Sequence, residues 1–403
     1  MGADFSEKSL TPSSWPAFGP AIQKPGTPTT ALVALDGRVE HGHDEPGRDT
    51  STSARMGLLR WTPHTKSWGR GAEAPRRLFL QWLMVLLALA ASLAVAHAAD
   101  QPRTPARALL ASATTWAYQL QNVEAQPFAR TTFDVLVLDA GSGDGRWGLS
   151  ASEIARLKKR PDGKRRLVLA YMNIGEAEDY RYYWKPAWKK TPPDWMGSAN
   201  CRWKGDHRVQ HWSREWQAIL FGSPQSYLGR LMKLGYDGVY LDRVDIFNHW
   251  QAARPQAMAE MVDLVAALSA WSKARNADFL VVPQNGEVLL TDPRYLASID
   301  GLGKEDMLFG DRGNEVANDS ARVAKAEQHI ALLLAAGLPV LAIEYARTPA
   351  NVAAARERLS ALGYTPYFGP RSLAYIGQDG PAHAEDGDTE SVTATTNPQS
   401  GCQ

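Results

Sequence analysis

Between residues 108 and 378 short apolar runs alternate with amphipathic stretches, the pattern of parallel strands separated by helices. Runs rich in β-branched and aromatic residues predict strands at 116–120, 133–138, 167–172, 209–212, 238–241, 279–282, 299–302 and 340–343. Helices are predicted at 150–159, 213–234, 255–274, 317–336 and 349–362. In the first of these, Ile154 and Leu157 share one face while Lys158 and Lys159 take the other. Gly235 and Gly337 follow helices as stop signals, and Pro339 opens the next strand. Eight strands in about 270 residues fit one (β/α)8 TIM barrel, an α/β fold; a doubly wound open sheet is the alternative. The run at 209–212 has the weakest pattern of the eight.

The segment Gly235-Tyr236-Asp237-Gly238-Val239-Tyr240-Leu241-Asp242-Arg243-Val244-Asp245 ends an apolar strand in two carboxylates three residues apart. Side chains alternate along a strand, so Gly238, Tyr240 and Asp242 point one way and Val239 and Leu241 the other. Asp242 therefore lies at the carboxyl end of a buried strand, where parallel barrels carry their catalytic groups. Other strand ends are also followed by acids or amides: Asp139, Asn173 with Glu176, Gln284 with Asn285 and Glu287, Glu305, and Glu344. A long insert at 180–206 carries Tyr180, Tyr182, Tyr183, Trp184, Trp188, Trp195 and Trp203. Converging carboxylates ringed by aromatics suit glycoside hydrolysis. One carboxylic acid protonates the leaving oxygen, while a carboxylate attacks or stabilises the oxocarbenium-like centre. Aromatic faces stack on the C–H surfaces of sugar rings, and side-chain amides bind hydroxyls.

Blander readings stand beside these. Asp242 and Asp245 also suit helix caps, Lys304 and Glu305 a surface ion pair, and Glu176 and Arg181 a pair across a loop. His207 and His211 flank a strand with no carboxylate to complete a ligand set, so no metal is expected. Val137-Leu138-Asp139-Ala140-Gly141-Ser142-Gly143-Asp144-Gly145 has the glycine spacing of adenosylmethionine methyltransferases and nucleotide folds. Its following helix starts late, near Ser150, and the next strand exits into Gly175-Glu176 without a lone ribose-binding acid.

Outside the barrel pattern the composition changes. Residues 1–75 are rich in Pro, Gly, Ser, Thr and charge, which predicts a disordered extension or a mis-assigned start, with Met56 a better alternative start than Met84. Arg76-Arg77, the apolar run 78–96 and Ala96-His97-Ala98 read as a secretory signal over 76–98 in preference to a retained membrane anchor. That reading makes the protein secreted or periplasmic, with no stable membrane association after cleavage. Residues 379–403 read as a disordered tail. A net charge of +1 over 403 residues argues against a nucleic-acid binder. Cys201 and Cys402 are too few for a disulfide framework, and their pairing stays open.

Several motifs occur in one order: Trp116-Ala-Tyr-Gln-Leu120, Leu169-Ala-Tyr-Met-Asn-Ile-Gly-Glu-Ala-Glu-Asp-Tyr-Arg181, the segment ending at Asp245, Pro283-Gln-Asn-Gly-Glu287, Lys304-Glu305 and Ile343-Glu344-Tyr345. In these motifs, over residues 114–370, the chain resembles glycoside hydrolase family 114, endo-α-1,4-polygalactosaminidases and their relatives on a TIM barrel. The resemblance implies that Asp242 is the nucleophile or charge stabiliser and Glu305 the proton donor. It implies that Asp139, Tyr171, Glu176, Asp245, Asn285, Glu344 and Tyr345 line the sugar site. A polysaccharide substrate, a monomer, no metal and no organic cofactor are the matching expectations. Glu344 stands where Asp is expected in many relatives, and the aromatic insert is long, which bears on substrate more than on reaction. A sugar-binding barrel that has lost hydrolysis is the alternative of another class; it should lack one central acid, and this chain has both.

Overall fold

The computed structural model describes residues 105–141, 148–201 and 203–377. The extension 1–75, the signal segment 76–98, the glycine loop 142–147, Cys402 and the tail 379–403 lie outside the described residues.

Eight parallel strands follow one another in chain order: β1 Trp116–Gln119, β2 Val135–Asp139, β3 Leu167–Asn173, β4 Gly238–Asp242, β5 Leu280–Pro283, β6 Leu302–Glu305, β7 Val340–Glu344 and β8 Thr365–Phe368. β1 to β5 form one hydrogen-bonded ladder and β6 to β8 a second. A parallel bridge between Gln284 and Gly303 joins the ladders on one side. On the other, the Trp116 indole on β1 donates to the carbonyl of Thr365 on β8 at 2.9 Å. The architecture is a (β/α)8 TIM barrel.

The expected number of strands is right, but the set is not. The run at 209–212 contributes no barrel strand. Asp206–Val209 is instead the central strand of a small antiparallel sheet, between Glu176–Glu178 and Met196–Ala199. The strand left out is β8, a four-residue run with Pro366 inside it, and proline ordinarily demotes a strand. β6 begins three residues later than 299–302, because its second half contains Lys304, a charged side chain that is nonetheless buried. The long helix expected over 213–234 is two, Arg214–Leu220 and Tyr227–Leu234, broken where Gly222 takes φ +107° ahead of Pro224. Gly235 ends the second with φ +90°, the left-handed stop its position suggested.

Period-2 alternation decides what fills the barrel. Trp116, Tyr118, Tyr171, Tyr240 and Tyr367 turn inward and pack ring to ring, with centroids 5.2 Å apart for Tyr118 and Tyr240 and 5.6 Å for Trp116 and Tyr367. Such pairs add about 1 kcal/mol each beyond the burial of their surface. Room for Tyr240 comes from Gly303 on β6, where a Cβ would lie 2.0 Å from the Tyr240 hydroxyl. The interior is thus a solid aromatic plug, and the carboxyl ends of the strands sit on top of it.

The aromatic insert packs against itself as well. Trp184, Trp188, Trp195 and Trp216 form a chain with successive centroids 5.4, 5.3 and 5.1 Å apart. Trp195 and Trp216 are buried. Trp195 and Trp216 pack the small sheet against the barrel, while Trp184 and Trp188 stay partly exposed.

Candidate active site

β4 delivers Asp242, on the same face as Tyr240. The Tyr171 hydroxyl, one strand away on β3, donates to Asp242 Oδ2 at 2.7 Å, and the Arg243 amide donates to Oδ1 at 2.7 Å. Arg243 reaches that geometry by adopting φ +61°, which costs a non-glycine residue about 1 kcal/mol. The turn also needs Gly175 beneath it, where a Cβ would fall 2.2 Å from the Arg243 carbonyl. The Arg243 guanidinium lies 3.3 Å from Glu176 and 3.4 Å from Asp245. Burial pushes the Asp242 carboxyl up to about 7, against the opposing pull of Arg243 and the Tyr171 hydrogen bond.

β6 delivers Glu305. Its Oε2 accepts from the Gln284 amide at 2.9 Å, and its Oε1 accepts from the Tyr345 hydroxyl. The Gln284 amide is itself oriented, because its oxygen accepts from the Tyr118 hydroxyl at 3.2 Å. Asn285, at φ +59°, turns its side-chain oxygen back to accept from the Glu305 amide at 3.1 Å and from Lys304 Nζ at 3.0 Å. Burial, and then the neighbouring Asp306, raise the Glu305 carboxyl above the usual range, against Arg371 and the Tyr345 hydrogen bond. The charges of Asp242 and Glu305 are both felt at the Tyr118 phenol, and that of Glu305 at Asp242. The two acids therefore share one mouth over the aromatic plug, and both are partly exposed.

Three consecutive strand ends leave the barrel through left-handed, non-glycine residues: Arg243, Asn285 and Asp306. Each directly follows a residue of the mouth: Asp242, Gln284 or Glu305. Stored backbone strain of this kind concentrates where side chains must be aimed.

Other expected site residues are placed differently. Asp139 is buried in a bidentate pair with Arg181, at 2.6 and 2.8 Å, and Arg181 also holds the buried Glu178 at 2.6 Å. Arg181 thus pairs with Glu178 and Asp139, while Glu176 pairs with Arg243 and accepts from Asn200 at 2.9 Å. Glu176 is buried, so it reaches the mouth only through Arg243. Glu344 points away from the mouth, since adjacent strand residues face opposite sides and Tyr345 faces in. It is buried and accepts the Leu308 and Phe309 amides at 2.7 and 3.2 Å, fixing the loop after β6. Tyr171, Asn285 and Tyr345 hold the two acids, and Asp245 stays partly open beside Arg243. Lys304 is buried and pairs with Glu287 at 2.8 Å, so no surface pair with Glu305 exists.

His211 is buried with Nε2 2.8 Å from the Ala257 carbonyl, and His207 packs on Trp184. Among the described residues no helix is long and apolar enough to cross a membrane. Sequence reasoning counted Gln284 among the strand-end amides without placing it in the sugar site, and gave no role to Tyr118, Arg243, Asp306 and Arg371. Parity exposes one of them: Gln284 lies two residues past Val282 and shares its face. No local signal marks Arg371, which comes from the segment after β8.

Known proteins resemble this chain. A family model described as glycoside-hydrolase family GH114 matches residues 93–388. An uncharacterized protein of Deinococcus radiodurans is 36% identical over 244 residues, which is 60% of this chain and 74% of that protein. An uncharacterized protein of Methanocaldococcus jannaschii is 38% identical over 204 residues, 48% of this chain and 56% of that protein. The structure of the glycoside hydrolase domain of PelA from Pseudomonas aeruginosa aligns with a TM-score of 0.52 at 18% identity, over 66% of this chain and 98% of that one, a likeness of fold. With a family match that spans the whole barrel, the chain belongs to glycoside-hydrolase family GH114 and is a glycosidase.

Proposed function

We propose that the protein is an exported, endo-acting glycosidase that cleaves α-1,4-linked galactosamine-containing polysaccharide. Asp242 serves as nucleophile or charge stabiliser and Glu305 as proton donor. The observation that carries the assignment is the sign of the charge beside each acid. Arg243 favours the ionised form of Asp242, whereas Asp306 favours the protonated form of Glu305. Both carboxyls are raised by burial, and the neighbouring charges push them in opposite directions, which suits the two different roles glycosyl transfer requires. Family membership supports the substrate class, and the apolar run 78–96 with its Ala-x-Ala exit supports export. Tyr171 and Tyr345 keep the two carboxyls in place. Asp245 and Arg243 line the rim beside Asp242.

The test is digestion of a panel of amino-sugar polymers, followed as new reducing ends. Wild type should cut a galactosamine polymer into oligomers, while Asp242→Asn and Glu305→Gln should not. Binding of the polymer without cleavage by any of the three proteins would favour the sugar-binding alternative.

A further inference from the structure

Arg371 belongs to the segment after β8, yet it touches both supports of the proposed acid. Its guanidinium grips Asp306 in a bidentate pair at 2.9 and 2.6 Å and also donates to Asn314. It stacks over the Tyr345 ring, 4.1 Å from the centroid. Asp306 is the residue after Glu305 and is held left-handed at φ +51°. Its carboxylate is tucked against Gly310, where a Cβ would come within 2.1 Å of Asp306 Oδ1. Tyr345 donates its hydroxyl to Glu305. One cation, with a side chain only 11% exposed, therefore meets both the carboxylate that follows Glu305 in the chain and the phenol that holds Glu305.

We propose that Arg371 is a positioning residue for the acid: it cancels the charge of Asp306 and fixes the Tyr345 ring, so that Glu305 can both hold and release its proton. The proposal rests on Glu305 being the proton donor. Its physical basis is that an unopposed Asp306 would bind the proton too tightly for transfer to a leaving oxygen. The other groups facing Glu305 do not replace Arg371. Lys304 also favours the ionised Glu305, but less than Arg371 does, and its ammonium is shared with Glu287, 2.8 Å away, and the Glu305 carbonyl. From β5 Gln284 is neutral, from β1 and β4 come the phenols Tyr118 and Tyr240, and Asp242 adds a second negative charge.

The experiment is the pH profile of kcat/KM for the full chain as wild type, Arg371→Gln, Asp306→Asn and the double variant. Removing Arg371 should move the alkaline limb up by about one unit and slow turnover; removing Asp306 should move it down. Asparagine tolerates the left-handed backbone at 306, so that variant is readable even if Arg371→Gln folds poorly. In the double variant the limb should return close to wild type, an outcome that loss of packing alone cannot produce. Limbs that stay put in every variant, or a double variant no better than Arg371→Gln, would overturn the proposal. Glu305→Gln, run alongside, separates the two ideas. If it stays active, the assignment of Glu305 fails; if it is inactive while the limbs stay put, only the role of Arg371 fails.

Discussion

At the end of β4 the strongest charge acting on Asp242 is Arg243; at the end of β6 the strongest acting on Glu305 is Asp306. Both carboxyls accept a tyrosine hydroxyl, both are raised by burial, and both follow a strand of the same barrel. What separates them is one backbone position. The residue after each acid takes the left-handed conformation, and its side chain is basic in one case and acidic in the other. Under the proposed roles, two carboxyls in similar surroundings are pushed in opposite directions by the charge on the next residue. Each neighbour is paired in turn: Arg243 with Glu176 and Asp245, and Asp306 with Arg371.

The largest effects should come from the acids themselves. Asp242→Asn and Glu305→Gln should each lower kcat on polymer by roughly 100-fold or more. An activated aryl glycoside, whose leaving group needs no proton, should restore most of the rate to Glu305→Gln and little to Asp242→Asn. Equal rescue of both would break the contrast between the two sites.

A smaller effect should follow from Arg243→Gln. Without the cation the Asp242 carboxyl rises, so the acidic limb of the kcat/KM profile should move up by about one unit while the alkaline limb stays. An unchanged acidic limb would deprive Asp242 of the charge that distinguishes it.

The smallest effect on turnover belongs to Glu344, which only braces the loop after β6. Burial raises its carboxyl from 4.5 to about 8. A group raised in the folded state stabilises fully below its unfolded value, and that stability is lost as pH climbs through the folded value. The Tm of the wild type should therefore fall between about pH 4.5 and about pH 8. Glu344→Gln keeps an acceptor for the Leu308 amide but does not titrate, so its Tm should fall less over that range. A steeper fall in the variant would contradict the burial argument.

Much of this could be read along the chain. The alternation of strands and helices, the stop at Gly235 and the aim of Asp242 follow from periodicities of two and near four, which are local, whereas the candidacy of Glu305 as proton donor came from the family resemblance. The same periodicity, applied more strictly, would have turned Glu344 away from the mouth and brought Gln284 into it. Proline inside β8 and lysine inside β6 hid or shifted strands because propensity is a weak guide where the surroundings supply partners. The aromatic insert had the composition of a platform; Trp195 is buried against Trp216, and Trp184 and Trp188 stay partly exposed.

Primary structure by itself determined which strand ends carry acids and on which face of its strand each acid lies. Tertiary structure alone decided which of those acids stay open. Asp139 and Glu178 are closed off by Arg181, Glu176 by Arg243, and Asp306 by Arg371. A charged side chain buried among apolar ones must find a counter-charge, and that partner is chosen by three-dimensional proximity rather than by distance along the chain. Asp242 and Glu305 stay partly exposed at the mouth, each held by a tyrosine hydroxyl rather than closed off in a bidentate arginine pair.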